Sequence, residues 1–194
     1  MLLKHIYNKG PKDKNGDTPL HFAAGVKFFN PDVCHLLLQN AKEKNPYNKQ
    51  GVSALHRAAM RGFFPMFKAI AKQKEDKNPK TRNGLLLTPL HLATEKASED
   101  QMIKEDPKGS VEICAYILKH IADKNPKDFL GQTPLHMAAA KGNLSLYKLF
   151  LTQERNPKAY DGITPLHKAA KYGHFLVSST KSRIKKRTLN AILE

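Results

Sequence analysis

Apolar residues occur along this chain in short bursts with a helical period, separated by polar stretches rich in turn formers. The clearest example lies between Asn125 and Phe150. Asn125 to Gly131 is too polar to pack and holds turn-forming residues, so it predicts a projecting hairpin or loop. Thr133 is suited to cap a helix whose first position holds Pro134, where a missing amide proton costs nothing. His136, Ala138 and Ala139 then line one side of a short helix, and Gly142 ends it. Leu144, Leu146, Leu149 and Phe150 predict a second helix. Neither helix has enough apolar surface to stand alone, so each must stack on a neighbour.

The same unit recurs. Gly16-Asp17-Thr18-Pro19-Leu20-His21, Gly51-Val52-Ser53-Ala54-Leu55-His56, Thr88-Pro89-Leu90-His91 with Gly84 upstream, Gly131 to His136 and Gly162 to His167 are near-copies of one hexapeptide. Their Thr/Ser positions, 18, 53, 88, 133 and 164, are separated by 35, 35, 45 and 31 residues. A second marker, Gly10-Pro11 or Asn-Pro at 45, 78, 125 and 156, precedes each by eight residues, or ten in the third copy. The turn therefore moves with the helix start. A period of this length is that of a solenoid.

These copies resemble ankyrin repeats, whose signature is Thr-Pro-Leu-His-x-Ala in a period near 33. Four copies keep Thr-Pro-Leu-His, and Ala23-Ala24, Ala58-Ala59, Ala138-Ala139 and Ala169-Ala170 match as well, whereas Ala93-Thr94 departs by one residue. The resemblance implies an all-α solenoid of stacked helix-turn-helix units with projecting hairpin loops and almost no sheet beyond the hairpin tips. It divides the chain into a repeat domain over 1–180 and a basic tail over 181–194. Within the domain a half-unit, 1–9, precedes units at about 10–44, 45–77, 78–124, 125–155 and 156–180. The half-unit follows from the match of Leu3-Lys4-His5-Ile6 to Leu118-Lys119-His120-Ile121 at a constant spacing of 115. It is either a capping half-repeat or the trace of a longer protein.

Departures from the repeat are local. The first unit has two extra residues between its helices, with Phe28, Phe29 and Pro31 in the lengthened turn. The third unit takes 16 steps from Ala93 to Gly109, where the fourth takes four from Ala138 to Gly142. The inserted Thr94 to Lys108 holds five acids and three lysines, and is expected to extend the first helix as far as Lys104 before Asp106-Pro107 breaks it. Two more residues in the third hairpin give an exposed-looking Leu85, Leu86 and Leu87. At the far end Phe175-Leu176-Val177 begins a last second helix, but Ser178-Ser179-Thr180 follow, then the basic run from Lys181 to Arg187 and a helical end over Thr188 to Leu193. That terminus is expected to be the least stable part of the stack.

Composition narrows the function classes. The 194 residues carry 33 Lys/Arg against 17 Asp/Glu, a formal charge of +16, and 27 of the basic residues are lysine. Such a balance favours solubility and attraction to acidic partners. No apolar run approaches the roughly 20 residues of a membrane span, and the first residues lack the order of a secretory signal. Cys34 and Cys114 cannot form a disulfide framework, occupy equivalent places two units apart, and read as core fillers in a reducing compartment. The expectation is an intracellular protein, cytoplasmic or nuclear. Five of the nine histidines (21, 56, 91, 136 and 167) share one repeat position, so they read as architectural, each bonding to its own hairpin or to the next. No histidine has a carboxylate or cysteine at metal-ligand spacing, and no phosphate-loop, dinucleotide or nucleophile-elbow motif occurs. The reading is a monomer that is no enzyme, with no cofactor and no metal.

What the resemblance implies instead is protein binding by the concave side, where hairpin tips and first helices meet. By motif position, the residue after each histidine gives Phe22, Arg57, Leu92, Met137 and Lys168, and the residue between Gly and Thr/Ser gives Asp17, Val52, Gln132 and Ile163. Lys14, Arg61, Phe129, Leu130, Lys141, Tyr160, Lys171 and Tyr172 surround them. An aromatic and apolar path rimmed by base suits an adaptor or inhibitor that binds a protein partner with an acidic surface. In an opposing reading Leu92, Met137 and Phe129 merely cover the ends of their own helices. Two alternatives carry different functions: nucleic-acid or acidic-surface binding through the lysines, and a structural spacer in a larger protein.

Overall fold

The computed structural model describes residues 11–26, 30–41, 43–97, 107–151 and 156–174. The half-unit, Phe28 and Phe29, most of the acidic insertion, and everything from Phe175 on lie outside the described residues. Nine helices are described: α1 (Pro19–Gly25), α2 (Pro31–Asn40), α3 (Ala54–Met60), α4 (Phe64–Ala71), α5 (Pro89–Lys96), α6 (Pro107–His120), α7 (Pro134–Ala140), α8 (Leu144–Phe150) and α9 (Pro165–Lys171). First helices α1, α3, α5, α7 and α9 pack in series, and second helices α2, α4, α6 and α8 form a parallel layer behind them. Among the described residues the only β pairing outside helices is an antiparallel bridge between Tyr47 and Ser53. The chain folds as the all-α stack that its repeats predict.

The core runs between the two layers. Alanines 58, 59, 138 and 139 are fully buried, which lets the first helices approach closely. The second helices supply the bulk, with Phe67, Ile70, Ile113, Ile117, Leu146, Tyr147 and Phe150 almost wholly enclosed. Each such side chain contributes roughly 1.5–3 kcal/mol on burial, realised only because a neighbouring unit covers it. Cys34 and Cys114 are free thiols in this core, and burial raises both above the usual thiol range, Cys114 to about 12.

Two kinds of cap secure the helix starts. Each first helix begins with a capping box in which the Thr or Ser and the histidine three residues on serve each other's backbone. In the second and third units the asparagine of the Asn-Pro turn supplies a second cap, whereas Asn125 Oδ1 and Asn156 Oδ1 are buried without a hydrogen-bond partner. Asn45 Oδ1 accepts the amide proton of Leu55 at 2.9 Å, and Asn78 Oδ1 that of Leu90 at 2.9 Å. In these two units the side chain of the turn bonds the helix start directly.

Two expectations for the third unit need correction. Helix α5 ends at Lys96, because Ala97 has φ −76° and ψ 42°, so it does not run to Lys104. Gly109 is also no turn glycine: α6 starts early, with Pro107 at its first position, and Gly109 lies within it. A Cβ there would sit 2.1 Å from the carbonyl oxygen of Gly62. Gly109 thus lets α6 approach the turn of the preceding unit.

Candidate protein-binding face

Five hairpins, termed fingers one to five, project from the first-helix side. Each is closed by a backbone bond, from Asp13 N to Asp17 O, Asn48 N to Val52 O, Thr81 N to Leu87 O, Asp128 N to Gln132 O and Ala159 N to Ile163 O. Consecutive fingers are also joined: Lys49 N donates to Asn15 O, Arg82 N to Gly51 O, Phe129 N to Leu85 O, and Tyr160 N to Leu130 O, all within 3.1 Å. The fingers therefore form a continuous row.

Histidine rings hold that row to the helices. Nδ1 of His21, His56, His91, His136 and His167 accepts the backbone proton of its own Thr or Ser at 3.0–3.3 Å. On the other side, Nε2 of His21 lies 3.1 Å from Val52 O, that of His91 3.2 Å from Gln132 O, and that of His136 3.1 Å from Ile163 O. A carbonyl can only accept, so Nε2 carries the proton and the tautomer is set. His56 reaches Pro79 O at 2.9 Å, at the base of the lengthened finger three, and also interacts with the Leu87 backbone at the pattern position. Burial lowers the pKa of all four rings, to about 4 for His56 and His91. His167, on α9, is exposed.

With the histidines turned inward, the neighbouring positions define the open face. Phe22 is 53% exposed, and Val26, one turn along α1, shares its side. Together with Gly25, Gln50, Val52, Arg57, Met60 and Arg61 they line a depression of about 640 Å³ between the first two units. Four expected residues, Phe22, Val52, Arg57 and Arg61, thus converge. Val26 and Met60 were missed. Val26 was readable as the residue four after Phe22, and Met60 as the bulky residue that follows Ala58-Ala59.

Farther along, Phe129, Leu130 and Tyr160 are exposed at the tips of fingers four and five, and Tyr172 is exposed beyond α9. Lys14, Lys141 and Lys171 are exposed too, while Gln132, Met137, Ile163 and Lys168 are half-buried. Two expected residues face inward. Leu92 is 8% exposed and belongs to the core. Asp17 is buried, and its oxygens accept from Asn48 Nδ2 at 2.8 Å and Arg57 Nη2 at 2.9 Å. Burial raises its pKa, but these two donors outweigh burial and leave the carboxyl below its ordinary value. Asp17 orients Arg57 and is buried beneath the face. Leu87, expected at the surface with Leu85 and Leu86, is half-buried and packs against the core.

Among the described residues no group of three His, Cys, Asp or Glu could hold a metal ion, and no helix is long and apolar enough to cross a membrane. A family model described as ankyrin repeats (3 copies) matches residues 1–81, 26–128 and 101–181. The chain belongs to the ankyrin repeat family. Its general role is that of the family, protein–protein interaction.

Proposed function

We propose that the chain acts as an adaptor or inhibitor whose concave face captures a protein partner with an acidic surface. The observation that carries this reading is the depression where Phe22, Val26 and Met60 lie open beside Arg57 and Arg61. Exposed aromatic and apolar anchors beside guanidinium groups are the composition of an interface hot spot. Asp17 strengthens the case by holding Arg57 in a fixed pose, which lowers the ordering cost of binding.

The test is capture by the wild-type chain and by a Phe22→Ala/Met60→Ala/Met137→Ala variant, with melting curves to show that both fold. Loss of most partner recovery supports the reading, and equal recovery overturns it. The lysine-rich surface motivates the nucleic-acid alternative. A titration at two salt concentrations separates the two: diffuse attraction to phosphate collapses as salt rises, whereas capture by apolar anchors changes little.

A further inference from the structure

The tips of fingers three to five carry a second surface that differs from the depression in shape and chemistry. Leu85 and Leu86 are 40% and 38% exposed, Phe129 and Leu130 both 46%, and Tyr160 73%. These five side chains stand on three consecutive fingers that are joined by the bonds from Phe129 N to Leu85 O and from Tyr160 N to Leu130 O. They make a stepped apolar ridge.

The backbone under the ridge points to selection for something other than stability. Leu86 has φ +53°, the only positive φ of a non-glycine residue among the described residues. Leucine is disfavoured there and glycine is not. The two-residue lengthening of finger three therefore keeps a large apolar side chain, in a conformation that opposes it, at an exposed tip.

Charge around the ridge is predominantly positive. Lys80, Arg82, Lys127 and Lys158 are exposed along the same three fingers, and Lys127 Nζ lies 5.8 Å from the centre of the Tyr160 ring. Of the two acids in these fingers, Asp128 is buried and engaged, leaving only Asp161 exposed. A partner must then bring apolar anchors at the finger pitch with acids on either side. That pitch follows the stacking of the first helices, about 8–10 Å. Same-face residues of an extended strand recur every ~7 Å and fall out of step. Residues seven apart in an α-helix recur on one face about every 10.5 Å, close to one anchor per finger.

The geometry points to the fingertip ridge as a docking site for an acidic amphipathic helix with an apolar residue in each heptad. The inference rests on the proposed protein-binding role and narrows it to fingers three to five. The probe is a labelled acidic peptide of roughly 20 residues with leucine at every seventh position, titrated into the full chain by fluorescence anisotropy. A peptide of the same composition with its leucines scrambled is the control. The heptad peptide should bind at least tenfold tighter than the scrambled one. Leu86→Gly/Phe129→Ala/Tyr160→Ala should remove that preference, and Phe22→Ala/Met60→Ala should leave it intact. Leu86→Gly alone should weaken binding several-fold while the melting temperature holds or rises, so lost affinity cannot be ascribed to unfolding. Equal binding of the two peptides, or a preference that survives the tip variant, overturns the inference. If the preference is lost only with the Phe22/Met60 variant, the ridge is ruled out while the concave-face reading stands. If the natural partner is indifferent to the Phe22/Met60/Met137 variant, the broader reading fails by its own test.

Discussion

Fingers three and four occupy the same place in successive units and are built on different principles. In finger four, one buried carboxylate organises the loop: Asp128 Oδ1 accepts from Leu130 N at 2.9 Å and from Gln132 N at 2.8 Å. Gly131, at φ +75°, brings the loop so near finger five that a Cβ would lie 2.8 Å from Tyr160 N. Finger three has Thr81 in place of the acid, and its hydroxyl accepts only from Leu87 N, at 3.1 Å. Asn83 takes the Leu85 amide, and a Cβ on Gly84 would meet nothing within 4 Å. The comparison shows what an Asx residue does for this fold. One side chain satisfies two amides of the short finger four, whereas finger three, without it, is longer, stacks more loosely and carries leucines outward.

The largest test of the comparison is acid, because His56 reaches finger three and His91 finger four. An unfolded imidazole takes its proton near pH 6.5, whereas these two take theirs near 4 in the fold. Their stabilisation is complete above about 6.5 and is lost as the pH falls to 4, on the order of 3 kcal/mol for each ring. His21 and His136 shift in the same direction. Urea denaturation at intervals between these pH values should show a steep loss, and a flat profile would refute the linkage.

Gly131→Ala should follow, at about 2–3 kcal/mol, since it combines a left-handed backbone with a collision against Tyr160. Gly84→Ala meets open space and should cost only about 1 kcal/mol. Equal losses in thermal melts would mean that finger four is no more tightly stacked than finger three. Removing the organisers comes next: Asp128→Ala leaves two amides without their acceptor and should cost about 2 kcal/mol, against about 1 for Thr81→Ala. The smallest effect has the opposite sign. Leu86→Gly should stabilise the chain by about 0.5 kcal/mol, backbone relief being partly offset by glycine's greater freedom when unfolded.

Much of this organisation could be read from the chain. The five hexapeptides located every first helix, because capping residue, first-turn proline and histidine are local signals that tertiary packing reinforces. The histidine bonds were legible as a class, though not the bond of His56 to Pro79, which depends on the length of the next finger. Motif position failed where neighbours decide. Leu92 and Phe22 hold the same place in the repeat, yet Leu92 is buried while Phe22 is exposed. The early start of α6 was hidden because Pro107 reads equally as a helix breaker and as a first-turn residue. The double role of Asp17 and Arg57 was also out of reach, since their contact spans 40 positions.

The fixed tautomers also govern how the protein meets transition metals. In His21, His56, His91 and His136 one ring nitrogen spends its lone pair on a backbone amide and the other holds a proton against a carbonyl. A zinc ion needs such a lone pair, so the folded protein withholds four imidazoles that its unfolded chain would offer. Zinc in solution would therefore draw the equilibrium toward the unfolded chain by mass action, and the same rings that tie the fingers together would become the handles by which a metal pulls them apart.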